Sequence, residues 1–169
     1  MLRADAARNV HRIVEVAARL LAENPGAGMA DVAAGAGVGR ATLYRHFPTR
    51  EALVEAIREQ AVEDAEHALA ACRLDEGTAT EALGRLCAAW LDVAERYAVA
   101  EPKPAPRSHV LSEPLIALLE RGQAAGEFTR ELPPQWMARV FGTVLLAGAR
   151  YGTLPPDTVF RTLLRGLQA

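Results

Sequence analysis

Aromatic side chains are scarce in this chain, at 5% of 169 residues, and stretches that alternate apolar and polar residues around β-branched side chains are almost absent. Half-buried strands need that alternation, so the sequence argues against a sheet and predicts an all-α protein rich in Leu and Ala. Cysteine is equally sparse. Cys72 and Cys87 have no CxxC spacing, which leaves a disulfide framework unsupported and suggests two reduced thiols in the core. The four histidines, His11, His46, His67 and His109, form no HxxxH or ExxH pattern. Only His67 has an acid, Asp64, three residues before it, too little for a helical metal site. No metal, cofactor or catalytic residue is therefore expected, and an enzyme is the weaker class. The longest uncharged, largely apolar run, Val140 to Ala149, is too short to span a bilayer, and the opening MLRADAARNV has no apolar core behind its charges. A cytoplasmic protein with no membrane span is expected.

Half of the residues are apolar, enough for a buried core at this length. The formal charge of −2 conceals an uneven distribution: residues 1–50 carry seven Arg against four acids, the remainder twelve Lys and Arg against seventeen acids. A basic head on an acidic body suits a chain that meets phosphate at one end.

The pattern of apolar residues and helix-stop signals divides the chain. Val10, Ile13, Val14, Ala17, Leu20 and Leu21 recur at helical spacing from Ala4 to Glu23, and Asn24-Pro25-Gly26 ends that helix. Met29 to Ala36 reads as a short helix, Gly37-Val38 as a tight turn, and Arg40 to Phe47 as a second short helix stopped by Pro48. Thr49 is suited to cap a long fourth helix with Leu53, Ile57, Ala61, Ala65, Leu69 and Cys72 on one face. A fifth helix, Thr78 to about Ala98, carries Leu83, Leu86, Cys87, Trp90, Val93 and Tyr97. Pro102, Pro104, Pro106 and Pro114 predict a loop over residues 101–114 with at most a short helical piece around Ser108 to Leu111. Helices are then expected over Glu113–Ala125, from Pro134 to about Tyr151, and from Pro156 to near Leu167. The expected division is 1–48 for the head and 49–169 for an antiparallel helical body.

Two short helices around a Gly turn make a helix-turn-helix. The second must bury one face on its partners and turn the other towards base edges in a major groove. Leu43 and Phe47, with Val32 and Val38, are the natural buried set. Arg40, Ala41, Thr42, Tyr44, Arg45 and His46 are left to meet solvent or double-stranded DNA. Arg40 and Arg45 suit guanine, Thr42 a thymine methyl or a phosphate, and Tyr44 and His46 phosphates. Thr49, Arg50 and the amides that open the fourth helix form a further phosphate cradle. The competing reading makes Tyr44 and His46 packing residues and the arginines a solvated face.

The stretch Met29 to Ile57, MADVAAGAGVGRATLYRHFPTREALVEAI, closely resembles the head of the tetracycline-repressor (TetR) family of transcription regulators. The resemblance lies in Asp31-Val32-Ala33, Ala36-Gly37-Val38, Thr42-Leu43-Tyr44-Arg45-His46-Phe47 and Pro48-Thr49-Arg50-Glu51-Ala52-Leu53. It implies a three-helix DNA-binding head, a palindromic operator, a small-molecule effector bound in the body, and a homodimer joined through the last two helices. Repression is the family's usual outcome. The chain departs from the pattern at Gly39, where the family often has a capping Ser or Thr, and at Gly35, which weakens the first short helix. It is also short for the family.

In the body, Trp90, Tyr97, His109, Trp136, Met137 and Phe141 are the candidates to line an effector pocket, because aromatic and Met side chains with a few polar tips suit an organic ligand. Core packing is the rival reading for each. The helix from Pro134 is apolar nearly all round, which suggests a subunit interface. The remaining alternative is a helical interaction or ligand-binding module without operator recognition.

Overall fold

The computed structural model describes residues 2–97, 109–151 and 155–167, with side chains at 9–97, 113–145, 155 and 157–167. Those residues form helices and turns without a strand: α1 (Leu2–Glu23), α2 (Met29–Gly35), α3 (Arg40–His46), α4 (Arg50–Ala71), α5 (Ala79–Arg96), α6 (His109–Ala125), α7 (Pro134–Tyr151) and α8 (Pro156–Leu167). The described residues fall into two compact units. One holds α1 to α3, α4 as far as Glu63, and Arg96 and Tyr97; the other holds α4 from Asp64, α5 to Glu95, and α6 to α8. The two units divide inside α4, between Glu63 and Asp64, beyond Pro48, where the sequence suggests that the head ends. The reason is burial. Leu53 and Ile57 are fully inaccessible, so the opening turns of α4 belong to the interior of the first unit, whereas Ala61, Ala65 and Leu69 are only half-buried.

In the first unit α1 packs on α2, and α2 on α3. Ile13, Val14, Ala17, Ala18 and Leu21 supply the buried stripe of α1. The helix stops where its spacing predicts: the Asn24 amide still bonds the Leu20 carbonyl at 2.8 Å, and the Asn24 side chain then accepts from the Gly26 amide at 3.1 Å. Such an Asx turn offers the backbone an alternative to further helix.

The second unit has one core. Ala82, Leu83, Leu86 and Cys87 of α5, Leu115, Leu118 and Leu119 of α6, Met137, Phe141 and Leu145 of α7, and Val159, Leu163 and Leu167 of α8 form one cluster with Phe128. α6 begins at His109, four residues before the helix expected from Glu113, and carries Pro114 within it. A proline there removes one helical bond and costs about 3 kcal/mol. Burial of Leu115, Leu118 and Leu119, at about 1.5–3 kcal/mol each, outweighs that loss.

The α5 N-terminus has each of its opening amides satisfied. Thr78 and Glu81 form a reciprocal box, with the Glu81 amide donating to Thr78 Oγ1 at 3.1 Å and the Thr78 amide to Glu81 Oε2 at 3.0 Å. Glu127, beyond the end of α6, accepts the other two amides, from Ala79 at 2.9 Å and Thr80 at 2.8 Å. Burial disfavours the charged carboxylate of Glu127, but the Thr80 and Ala79 amides, the Thr80 side chain and the charge of Arg121 together hold its pKa below the ordinary 4.5.

Two measurements test this packing. A Cβ added at Gly122 would run into the ring of the buried Phe128, so Gly122→Ala should destabilise the protein by about 1–3 kcal/mol in urea unfolding. Glu127 has a folded-state pKa below its unfolded value, so its stabilisation is present above the unfolded pKa and is lost as pH falls through the folded one. The stability difference between wild type and Glu127→Gln should be full at neutral pH and should shrink on acidification below about pH 4.5. A difference that does not vary with pH would exclude the carboxylate as the cap.

Candidate nucleic-acid interface

α2 and α3 are each seven residues long, too short to persist in water by themselves. α2 is capped by Gly28, whose amide donates to the Asp31 carboxylate at 2.8 Å, and it buries Val32 and Ala33. Its end is a Schellman motif. The Gly37 amide bonds the Ala34 carbonyl at 3.1 Å and the Val38 amide the Ala33 carbonyl at 2.9 Å, with Gly37 at φ +65°. That left-handed conformation favours glycine.

α3 follows at once. Gly39 caps it in extended geometry and contributes no side-chain hydrogen bond. Leu43 is 0% exposed and Phe47 is buried, which directs the opposite face outward. On that face Arg40, Ala41, Tyr44 and Arg45 are exposed, and Thr42 and His46 are half-buried. Tyr44 is 47% exposed, so its ring is not a core element. His46 leans on Phe47, ring centroids 6.4 Å apart and planes tilted by 51°, which gives it a packing role on one side. The result is one short helix that presents two guanidinium groups, a phenol, a hydroxyl and an imidazole.

The start of α4 differs from the expected cradle. Thr49 Oγ1 accepts the Ala52 amide at 3.1 Å, the cap that the sequence predicts. Glu51 carries its charge more readily than an ordinary carboxylate, because its own amide and then the Thr49 hydroxyl bond it. Arg50 faces the other way. Its Nη1 donates to the Ala27 carbonyl and its Nη2 to the Pro25 carbonyl at 2.8 Å. The guanidinium expected to hold a phosphate is therefore engaged within the protein, a partnership that nothing in the local sequence signals.

The six candidate pocket residues do not form one group. Met137 and Phe141 are inside the core of the second unit, and half-buried Trp90 packs against it. Tyr97 is buried in the first unit, Trp136 is 54% exposed, and the side chain of His109 lies outside the described residues. An open groove of about 560 Å³ lies elsewhere in the second unit, lined by Glu66, Leu69, Ala70, Arg73, Leu74, Asp75 and Pro114. Among the described residues, no three His, Cys, Asp or Glu side chains gather as a metal site, and no helix is long and apolar enough to cross a membrane.

Fold and site define a helix-turn-helix transcription regulator that binds DNA. Residues 13–57, which span the site from α1 to α4, match the model for bacterial regulatory proteins of the tetR family. The chain is 30% identical over 149 residues to the HTH-type transcriptional repressor LfrR of Mycolicibacterium smegmatis, across 83% of this chain and 77% of that protein. The crystal structure of the TetR-like regulator LfrR from Mycobacterium smegmatis in complex with proflavine superposes with a TM-score of 0.77, at 25% identity and 94% coverage of both chains. A TetR transcription regulatory protein from Mycobacterium vanbaalenii aligns over 100% of both chains, with a TM-score of 0.66 and 30% identity. The chain belongs to the tetR family of bacterial regulatory proteins.

The bare cap of α3 generates a prediction. Gly39 has φ −67° and ψ 146°, and a Cβ there meets nothing within 4 Å. Gly39→Ser should therefore stabilise the protein by about 0.5–1 kcal/mol, through a new cap and a less flexible unfolded chain. Equal or lower stability in thermal unfolding would show that the serine makes no cap.

Proposed function

We propose that the protein is a ligand-responsive repressor that binds a palindromic operator as a homodimer. The observation that carries the reading is the division of α3 into a buried side, Leu43, and an open polar side, Arg40, Tyr44 and Arg45. In this reading Arg40 and Arg45 donate to guanine edges, Thr42 and Ala41 contact a thymine methyl, and Tyr44, His46 and Thr49 hold phosphates. Residues 1–48, completed by the opening turns of α4, form the DNA-binding head.

Dimerisation is assigned to α7 and α8. Trp136 is exposed, and Val140, Val144, Phe160 and Leu164 are half-buried, apolar surface that a second copy would cover. Response to a small molecule is supported by the relative that was solved with proflavine; a ligand that prefers another separation of the two heads lowers operator affinity by its differential affinity for the two states. The protein works by binding, without catalysis, in the cytoplasm where the DNA is.

Selection of random duplex DNA tests the reading, with the Arg40→Ala, Tyr44→Ala double variant as control. A palindromic motif that the variant loses is the expected result. No motif from folded, dimeric protein would favour an interaction module without operator recognition. On the selected duplex, Arg40→Ala or Arg45→Ala should each cost about 1–3 kcal/mol and relax base preference at one position. Tyr44→Ala should weaken all sequences alike. Unchanged affinity in all three variants would remove α3 as the recognition helix.

A further inference from the structure

One side chain ties together the two ends of the helix-turn-helix. Arg50 opens α4, yet its guanidinium bonds the carbonyls of Ala27 and Pro25, 23 and 25 residues earlier in the chain. Those carbonyls belong to the loop that leads into α2. Ala27 is buried, and Gly28, the next residue, is the N-cap of α2. α2, the Gly37 turn and α3 therefore all lie within a loop of chain that Arg50 closes. A guanidinium suits this task, because its rigid fork reaches two acceptors at once and its bonds are charge-assisted. An ammonium offers a single point charge in place of that fork.

We infer that Arg50 is a positioning residue, which fixes the orientation of the α2–α3 pair against α4 by clamping the loop before α2. This rests on the operator-binding reading and deepens it: the face that meets DNA is held in place by a group that does not itself meet DNA. Phe47, Pro48 and Thr49 already join α3 to α4 through the chain. The Arg50 clamp adds a second attachment at the far end of the pair, and two attachments remove the rotation that one would allow.

The experiment compares wild type, Arg50→Lys and Arg50→Met on a duplex selected by the wild-type protein, over a range of salt, together with amide hydrogen exchange of the free proteins. A clamp predicts that both variants bind about tenfold more weakly or worse, since two charge-assisted bonds are lost or reduced. It also predicts an unchanged salt slope and faster exchange in α2 and α3, with α5 unaltered. A phosphate contact predicts the opposite pattern: Lys keeps nearly full affinity, Met lowers the slope by about 0.9, and exchange stays the same. That pattern, or exchange that accelerates evenly across α1 and α5, would overturn the clamp. Wild-type protein with no salt-dependent binding would instead remove the operator reading. The exchange comparison would then decide the clamp alone, local acceleration supporting it and unchanged exchange ending it.

Discussion

A helix of seven residues makes too few internal hydrogen bonds to offset the cost of its own nucleation, so α3 exists only because Leu43 and Phe47 are removed from water. The rest of the head follows from that requirement. Burial of Leu43 selects which side of the helix is free, and the free side carries Arg40, Tyr44 and Arg45. The Schellman end of α2 brings Gly39 to the start of α3 within a few residues, and the first turns of α4 complete the interior with Leu53 and Ile57. The polar face of α3 is in this sense the back of a hydrophobic contact.

The second unit relies on a different device, polar side chains that reach across the chain to satisfy backbone groups. Glu127 closes the start of α5 from 48 and 47 residues away. Arg85 gathers the carbonyls of Cys72, Arg73 and Glu76 in the α4–α5 turn. The Gln123 amide reaches Thr129 and Leu132 at 2.7 and 2.8 Å and so fixes the loop between α6 and α7. Each gives a partner to backbone groups that the helices and turns leave unpaired. Loops held in this way set the starting points of the helices that they join.

Much of this was legible in the sequence because its causes are local. Helical periodicity and Gly or Pro stops locate α1 to α3 within a residue or two, and the Leu43–Phe47 spacing identifies the face that α3 leaves open. The missing parts are those whose partners are distant or are backbone atoms. The Arg50 partnership is one of these, because its acceptors are the carbonyls of Pro25 and Ala27; carbonyls leave no mark on a sequence. The start of α6 was hidden by Pro114, since local propensity cannot weigh one lost bond against three leucines buried farther along. Nor could the α7 pattern separate Trp136, exposed, from Met137, buried, because both are apolar and adjacent. The division inside α4 left no mark for a related reason: a helix that contributes to two units carries a single continuous stripe.

The two cysteines narrow the kinds of signal open to this protein. Both are buried and free. Burial raises the pKa of Cys72 against the opposing charge of Arg85, and burial, with Asp157 adding to it, takes Cys87 to about 11. At neutral pH Cys87 is therefore held as the thiol and not as the thiolate, the form that attacks peroxides, quinones and other soft electrophiles. Burial and a raised pKa thus act in the same direction at both thiols, against the reactive form.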